Sequence, residues 1–130
     1  MKAVVHRTVF RNCRLTGSLW PDAYFRDVLF DASKGDCCSF KFAEFKDTTF
    51  RSSLFAEAEF TSAKLHKCSF EDTDRRRAEM SGLSLRGMDL RSCEIEGMRA
   101  GVKELQGVII DSVQAMLVCS QLGLCVKFDA

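Results

Sequence analysis

The sequence has almost no net charge, +1 at pH 7 with 28% charged residues. A domain without a basic or acidic excess has no global pull toward nucleic acid or an anionic membrane surface. It also lacks any run near the ~20 apolar residues that a membrane helix needs. Met1 to Phe10 carries charges and no long apolar stretch, so it does not read as a secretory leader. Metal-ligand spacing is missing too. The seven cysteines are an odd number, Cys37 and Cys38 are adjacent, and there is no CxxC pair or histidine-flanked cluster. This excludes a recognisable zinc site or disulfide framework and points to a reducing, cytoplasmic setting. No glycine-rich phosphate loop is present, and no pattern sets a nucleophile beside a base. The expectation is a chain with no catalytic, cofactor-binding or metal-ligating residues.

What the sequence does have is a period of five. Every fifth residue from Val5 to Ile110 is bulky and apolar in 19 of 22 cases, the exceptions being Gly35, Arg75 and Ala100. Nine of the 11 phenylalanines fall on this phase: Phe10, Phe25, Phe30, Phe40, Phe45, Phe50, Phe55, Phe60 and Phe70. Two residues before each centre, from Ala3 to Met98, the residue is Ala, Ser, Thr or Cys in 16 of 20 cases. Neither the 3.6-residue helical period nor the two-residue strand period keeps every fifth residue on one face. A chain that turns a corner every five residues does. Each unit then points one large and one small residue inward and three residues outward, and alternating sizes fill successive layers.

Units such as Ala43-Glu44-Phe45-Lys46-Asp47 and Ala58-Glu59-Phe60-Thr61-Ser62 resemble the pentapeptide-repeat family, whose unit is small, polar, Leu or Phe, then two variable residues. The match spans about residues 3–102. The resemblance implies an all-β solenoid: a right-handed quadrilateral β-helix with four units per coil and about five coils. At the ~4.8 Å spacing of neighbouring strands, that is a rod of roughly 24 Å. The predicted division is a β-helix over 1–110 and a capping and dimerisation segment over 111–130.

After Ile110 the period changes. Asp111-Ser112-Val113-Gln114 has the form of a capping box, and a helix over about 112–122 ends at Gly123. The alternation in Leu124-Cys125-Val126-Lys127-Phe128 predicts a short strand. The helix is apolar on two sides. Val113, Met116 and Leu117 make one stripe; Ala115, Val118, Cys119 and Leu122 make the other. One stripe can close the β-helix, and the other needs a second molecule. Val113, Met116, Leu117, Val118 and Leu122 are therefore the candidate dimer interface. This tail is similar to the helical ends of family members that pair tail to tail, including those of the quinolone-resistance type.

Other features have structural readings close at hand. Cys13, Cys38, Cys68 and Cys93 fall on the small inward phase and read as core residues. His6, Arg26, Lys46, His66 and Arg86 form one outward column that can attract phosphate or carboxylate, but Asp27, Glu44 and Asp47 flank it, as on a solvated face. Arg75 interrupts the core phase, and a buried, unpaired guanidinium is costly, so the coil is expected to swing it outward. Just before the first six centres stand Val4, Val9, Arg14, Leu19, Tyr24 and Leu29. The five apolar ones form a collar that is a candidate partner surface. The expected function is a non-enzymatic, rod-shaped protein-interaction module, a homodimer through its C-terminal helix, with no direct nucleic-acid or membrane contact. The resemblance implies one alternative: modulation of a type II topoisomerase (DNA gyrase), which some family members bind through a DNA-like rod surface. Residues 1–102 carry 17 Lys or Arg and 15 Asp or Glu, so this rod is not acidic. A small-molecule or enzyme role is the remaining alternative.

Overall fold

The computed structural model describes residues 3–125 and 127. The five-residue period becomes a parallel β-solenoid in which residue i lies beside residue i+20. Strand β1 (Val4–Arg11) pairs with β2 (Tyr24–Asp31), which pairs with both β3 (Glu44–Lys46) and β4 (Thr49–Arg51). These continue into β5 (Lys64–His66) and β6 (Ser69–Glu71), and every pairing is parallel. The two remaining walls are held by isolated parallel bridges, from Arg14↔Lys34 to Asp74↔Glu94 on one and from Leu19↔Ser39 to Glu79↔Arg99 on the other. Two helices follow, α1 (Val102–Leu105) and α2 (Ser112–Gln121). The sequence pattern does not announce α1. Its N-cap is Gly101, whose N–H donates to Glu104 Oε1 at 2.9 Å.

The core is a set of aromatic columns. Phe10, Phe30, Phe50 and Phe70 stack with centroid separations of 4.9, 4.8 and 4.6 Å and interplanar angles under 10°. Phe25 and Phe45 stack at 4.7 Å. Phe40 and Phe60 lie 5.3 Å apart. All of these except the half-buried Phe10 are fully enclosed, as is Phe55. Burial of each ring contributes about 1.5–3 kcal/mol, and neighbouring ring pairs add to that. At Gly35 a Cβ would collide with the ring of Phe55, so the missing side chain is the space that ring occupies.

The corners carry a chemistry that size alone does not reveal. At two of the four, the backbone closes the turn: Ala43 N–H donates to Phe40 O at 3.0 Å and Ala58 N–H to Phe55 O at 3.1 Å. At the other two, the small side chain does so. Thr48 Oγ1 donates to Lys46 O at 3.1 Å, Ser53 Oγ to Arg51 O at 2.8 Å and Thr73 Oγ1 to Glu71 O at 2.9 Å. Residue choice follows the corner. Through Ala78, Thr8, Cys13, Ser33, Thr48, Ser53, Cys68 and Thr73 take the side-chain-closed corners, with Val28 the exception, while Ala23, Ala43, Ala58, Ala63 and Ala78 take the backbone-closed ones together with Ser18 and Cys38; at Met88 and Cys93 the backbone closes the turn as well. A sharp change of direction also needs a left-handed residue, and through Gly87 it falls two positions after each centre, as at Asp47 (φ 49°) and Gly82 (φ 74°).

Arg75 departs from expectation. It stays on the inward phase and is 0% exposed. Its Cζ lies 3.8 Å from the Phe70 ring centroid, and one terminal nitrogen donates to Met80 Sδ at 3.1 Å. Nε and Nη1 have no partner. Burial pulls its pKa down to about 10, which still leaves it charged at neutral pH. Two forces hold it in. The ladder bonds around it, Arg75 N–H to Glu94 O at 2.7 Å and Phe55 N–H to Asp74 O at 2.8 Å, would break if the coil bulged. The face of Phe70 also offers a desolvated cation a favourable contact.

Candidate interaction surfaces

The first coil carries the most exposed of the predicted collar residues. Val4 is 69% and Leu19 74% exposed, and Val9 is also exposed. Tyr24 and Leu29, one coil further on, are half-buried. Beneath them Trp20 packs on Phe10 and Phe25, and its indole N–H donates to Ser18 Oγ at 2.8 Å. The collar residues of the first coil thus project into solvent, while those of the second lean on the wall.

The carboxy-terminal end is built differently. The capping box of α2 is present: Gln114 N–H donates to Asp111 Oδ1 at 2.8 Å, and Asp111 N–H donates to Gln114 Oε1 at 3.0 Å. Gln114 does a second job. It is buried, and its amide nitrogen donates to Cys93 O at 2.9 Å and to Leu90 O at 2.6 Å, the latter already accepting from Cys93 N–H. An apolar-stripe search passes over this residue because it is polar. The two stripes are sorted by exposure. Val118 packs against the core and Leu117 is half-buried. Val113 (67%), Met116 (41%) and Leu122 lie exposed. Val102, Leu105, Val108, Ile110, Val118 and Leu122 line an apolar groove of about 290 Å³ beside the helix. Of the predicted strand, Leu124, Cys125 and Lys127 are not in a strand; Val126 and Phe128 lie outside the described residues.

The arginines at 75–77 and the cysteines are held in structural contacts. Arg76 is held bidentate by Asp74 (2.8 Å), and Arg77 by Glu57 (2.8 Å), so the arginine triplet 75–77 does not converge. All seven cysteines are free, and those of the inward phase donate to backbone: Cys38 Sγ to Leu15 O at 2.8 Å, Cys68 Sγ to Phe45 O at 3.4 Å. Burial pushes the thiols of Cys38, Cys68 and Cys93 up from their ordinary value, which makes them poor nucleophiles. Among the described residues, no three His, Cys, Asp or Glu side chains gather as metal ligands. Among the same residues, no helix is long and apolar enough to cross a membrane.

Solved structures similar to this chain include those of three proteins. Rfr23, a pentapeptide repeat protein from the cyanobacterium Cyanothece 51142, is similar with a TM-score of 0.54 at 12% identity, over 85% of this chain and 86% of that one. HetL of Nostoc sp. strain PCC 7120, a pentapeptide repeat protein involved in heterocyst differentiation regulation, scores 0.41 at 13% identity over 86% and 63%. QnrB1, a plasmid-mediated fluoroquinolone resistance protein, scores 0.37 at 15% identity over 98% and 99%. At these identities the likeness concerns fold alone. No curated protein matches the chain. The model of the pentapeptide repeat region matches residues 3–74, more than half of the sequence, and with the five-residue register seen in the core it places this chain in the pentapeptide-repeat family.

Proposed function

We propose that the chain is a non-enzymatic, rod-shaped protein-interaction module. Its β-helix of about five coils is capped by α2, it pairs tail to tail through the exposed face of that helix, and it offers its amino-terminal collar to a partner. One observation carries this reading. Of the exposed large apolar side chains among the described residues, Val4, Val9 and Leu19 crowd one end, and Val102, Ile109, Val113, Met116, Leu122 and Leu124 crowd the other. Between them stand only Phe42 and Leu54. A polar shaft with two apolar ends is the distribution expected when contacts are made end-on. The free thiols fit a cytoplasmic setting. Topoisomerase modulation finds less support, because a DNA-like surface is acidic and residues 1–102 carry a net charge of +2.

Met116→Lys places a charge on the exposed stripe without touching Gln114 or Val118. The variant should remain folded by circular dichroism and run as a monomer in light scattering, where the parent chain runs as a dimer. A parent that is monomeric at tens of micromolar, or a variant that stays dimeric, would overturn pairing through α2.

A further inference from the structure

The four walls of the solenoid are not alike in charge. The wall bearing β3 and β5, with the first halves of β1 and β2, carries six Lys or Arg and three Asp or Glu at outward positions between residues 4 and 87. The other three walls together, through residue 101, carry nine and twelve. On those walls most cations are neutralised sideways: Arg11 and Arg51 share Asp31, and Arg91 holds Asp89, whose pKa falls to about 2. The basic wall is different. His6, Arg26, Lys46 and His66 are Cα partners in successive parallel pairings, so one cationic or protonatable side chain sits directly on the next. Arg86 continues the phase 20 residues on. Asp27 alone serves both His6 (3.6 Å) and Arg26 (4.0 Å). Among the described residues, Lys46, His66 and Arg86 have no carboxylate within ion-pair reach. Like charges placed opposite each other in a ladder destabilise it. This ladder stacks them on the face where Lys and Arg most outnumber carboxylates.

We propose that this stripe is the docking site of an acidic helix on a partner protein, which supplies the missing carboxylates. The proposal rests on reading the rod as an interaction module and names a partner class for its shaft. Spacing favours a helix. A cationic or imidazole side chain recurs once per coil, ~4.8 Å apart. A helix offers a carboxylate once per turn, 5.4 Å apart, so three steps from His6 to His66 accumulate a mismatch of roughly 2 Å, which long side chains absorb. Each strand of a DNA duplex carries a charge every 3.4 Å along the axis. Its continuous charge would also run past Glu44, Asp27 and Asp47, whereas a helix with discrete carboxylates can step between them. Tyr24 stands half-buried on the same wall, two residues before Arg26. Tyrosine beside arginine is the pairing that concentrates binding energy at protein interfaces.

The test uses the full chain and two probes in fluorescence anisotropy. One is a synthetic five-turn helical peptide with one glutamate per turn along a single face; the other is a single-stranded oligonucleotide. The peptide should bind, weaken as salt rises, and bind at least about tenfold more weakly to Lys46→Glu with His66→Glu. It should keep its affinity for Arg14→Glu with Lys34→Glu, a stacked cation pair on a different wall. Three results overturn the proposal: no peptide binding, equal loss in both double variants, or tighter binding of the oligonucleotide. Light scattering on the same samples keeps the outcomes separate. A dimer that ignores the peptide removes the stripe and leaves end-on association standing.

Discussion

The solenoid solves its packing twice, in two different ways. From Phe25 to Phe70 the centre of nearly every unit is phenylalanine and the small position is Ala, Ser, Thr or Cys, with Val28 the exception. From Met80 onward the centres shrink to Met80, Leu85, Leu90 and Ile95, and the second position grows to Leu83, Met88 and Met98. Those three are buried, and Met98 stands beside Ala100, where the sizes are fully inverted. At Leu83, Met88 and Met98 a larger second residue accompanies a smaller centre, a trade that a close-packed interior favours because it tolerates neither voids nor overlap. Arg75 sits at the seam, with its guanidinium on the last rings of the phenylalanine section and its donor on the first methionine of the other.

Three experiments test that comparison. Phe50→Ala should have the largest effect. The ring is stacked on both sides, at 4.8 Å on Phe30 and 4.6 Å on Phe70, so a rigid column must hold the cavity open. A loss of about 3–5 kcal/mol is expected by denaturant titration, against about 2–3 for Leu90→Ala in the aliphatic section. Comparable losses would mean that the two sections are equally deformable.

Arg75→Leu should stabilise by roughly 1–4 kcal/mol, as replacing a buried charge with an apolar residue of similar reach often does. The pH dependence separates this from a simple packing gain. Because burial lowers the folded-state pKa to about 10 from 12.5, the unfolded chain binds more protons, and wild-type stability recovers as pH rises between those values. The advantage of the leucine variant in melting temperature should therefore be full at pH 7–9 and narrow above pH 10. An advantage that does not change with pH would show that the charge is not what costs stability.

The smallest expected effect comes from size exchange. Ala43→Leu should cost about 1–3 kcal/mol, because Phe45 and its neighbours leave no room. Combining it with Phe45→Leu should restore part of the loss, imitating the Leu83 and Leu85 pair. If the double variant is no better than the single one, volume is not being traded within the unit.

The period, the columns and the capping box were legible in the sequence because each repeats a strong physical constraint at fixed spacing. Other features were not. Ala, Ser, Thr and Cys look equivalent as small residues, and only the corners show that Thr48 and Ser53 close a turn that Ala43 and Ala58 leave to the backbone. The signal was present as a 20-residue alternation nested within the five-residue one. Arg75 misled because a charge on a core phase reads as a defect until its neighbours are known; the π face of Phe70 is a property of the column, not of the local sequence. Gln114 was read for its local cap, while the carbonyls of Leu90 and Cys93 that it also bonds lie more than 20 residues away. For the surfaces, sequence named the exposed collar residues Val4, Val9 and Leu19 and the outward Met116, and left the two helix stripes to be sorted by burial.

The quadrilateral register has a consequence for how such a rod can change over generations. Adding or removing four units alters length alone: the walls stay in phase, and the two ends keep their relative azimuth. Adding or removing a single unit leaves every local contact of the repeat available, yet turns everything beyond it by a quarter revolution. The tail helix would then face a different compass direction from the collar, and the basic column would break into two half-columns on adjacent walls. Gene duplication in steps of five residues is thus a dial for the angle between binding surfaces, and steps of 20 residues are a ruler for the distance between them.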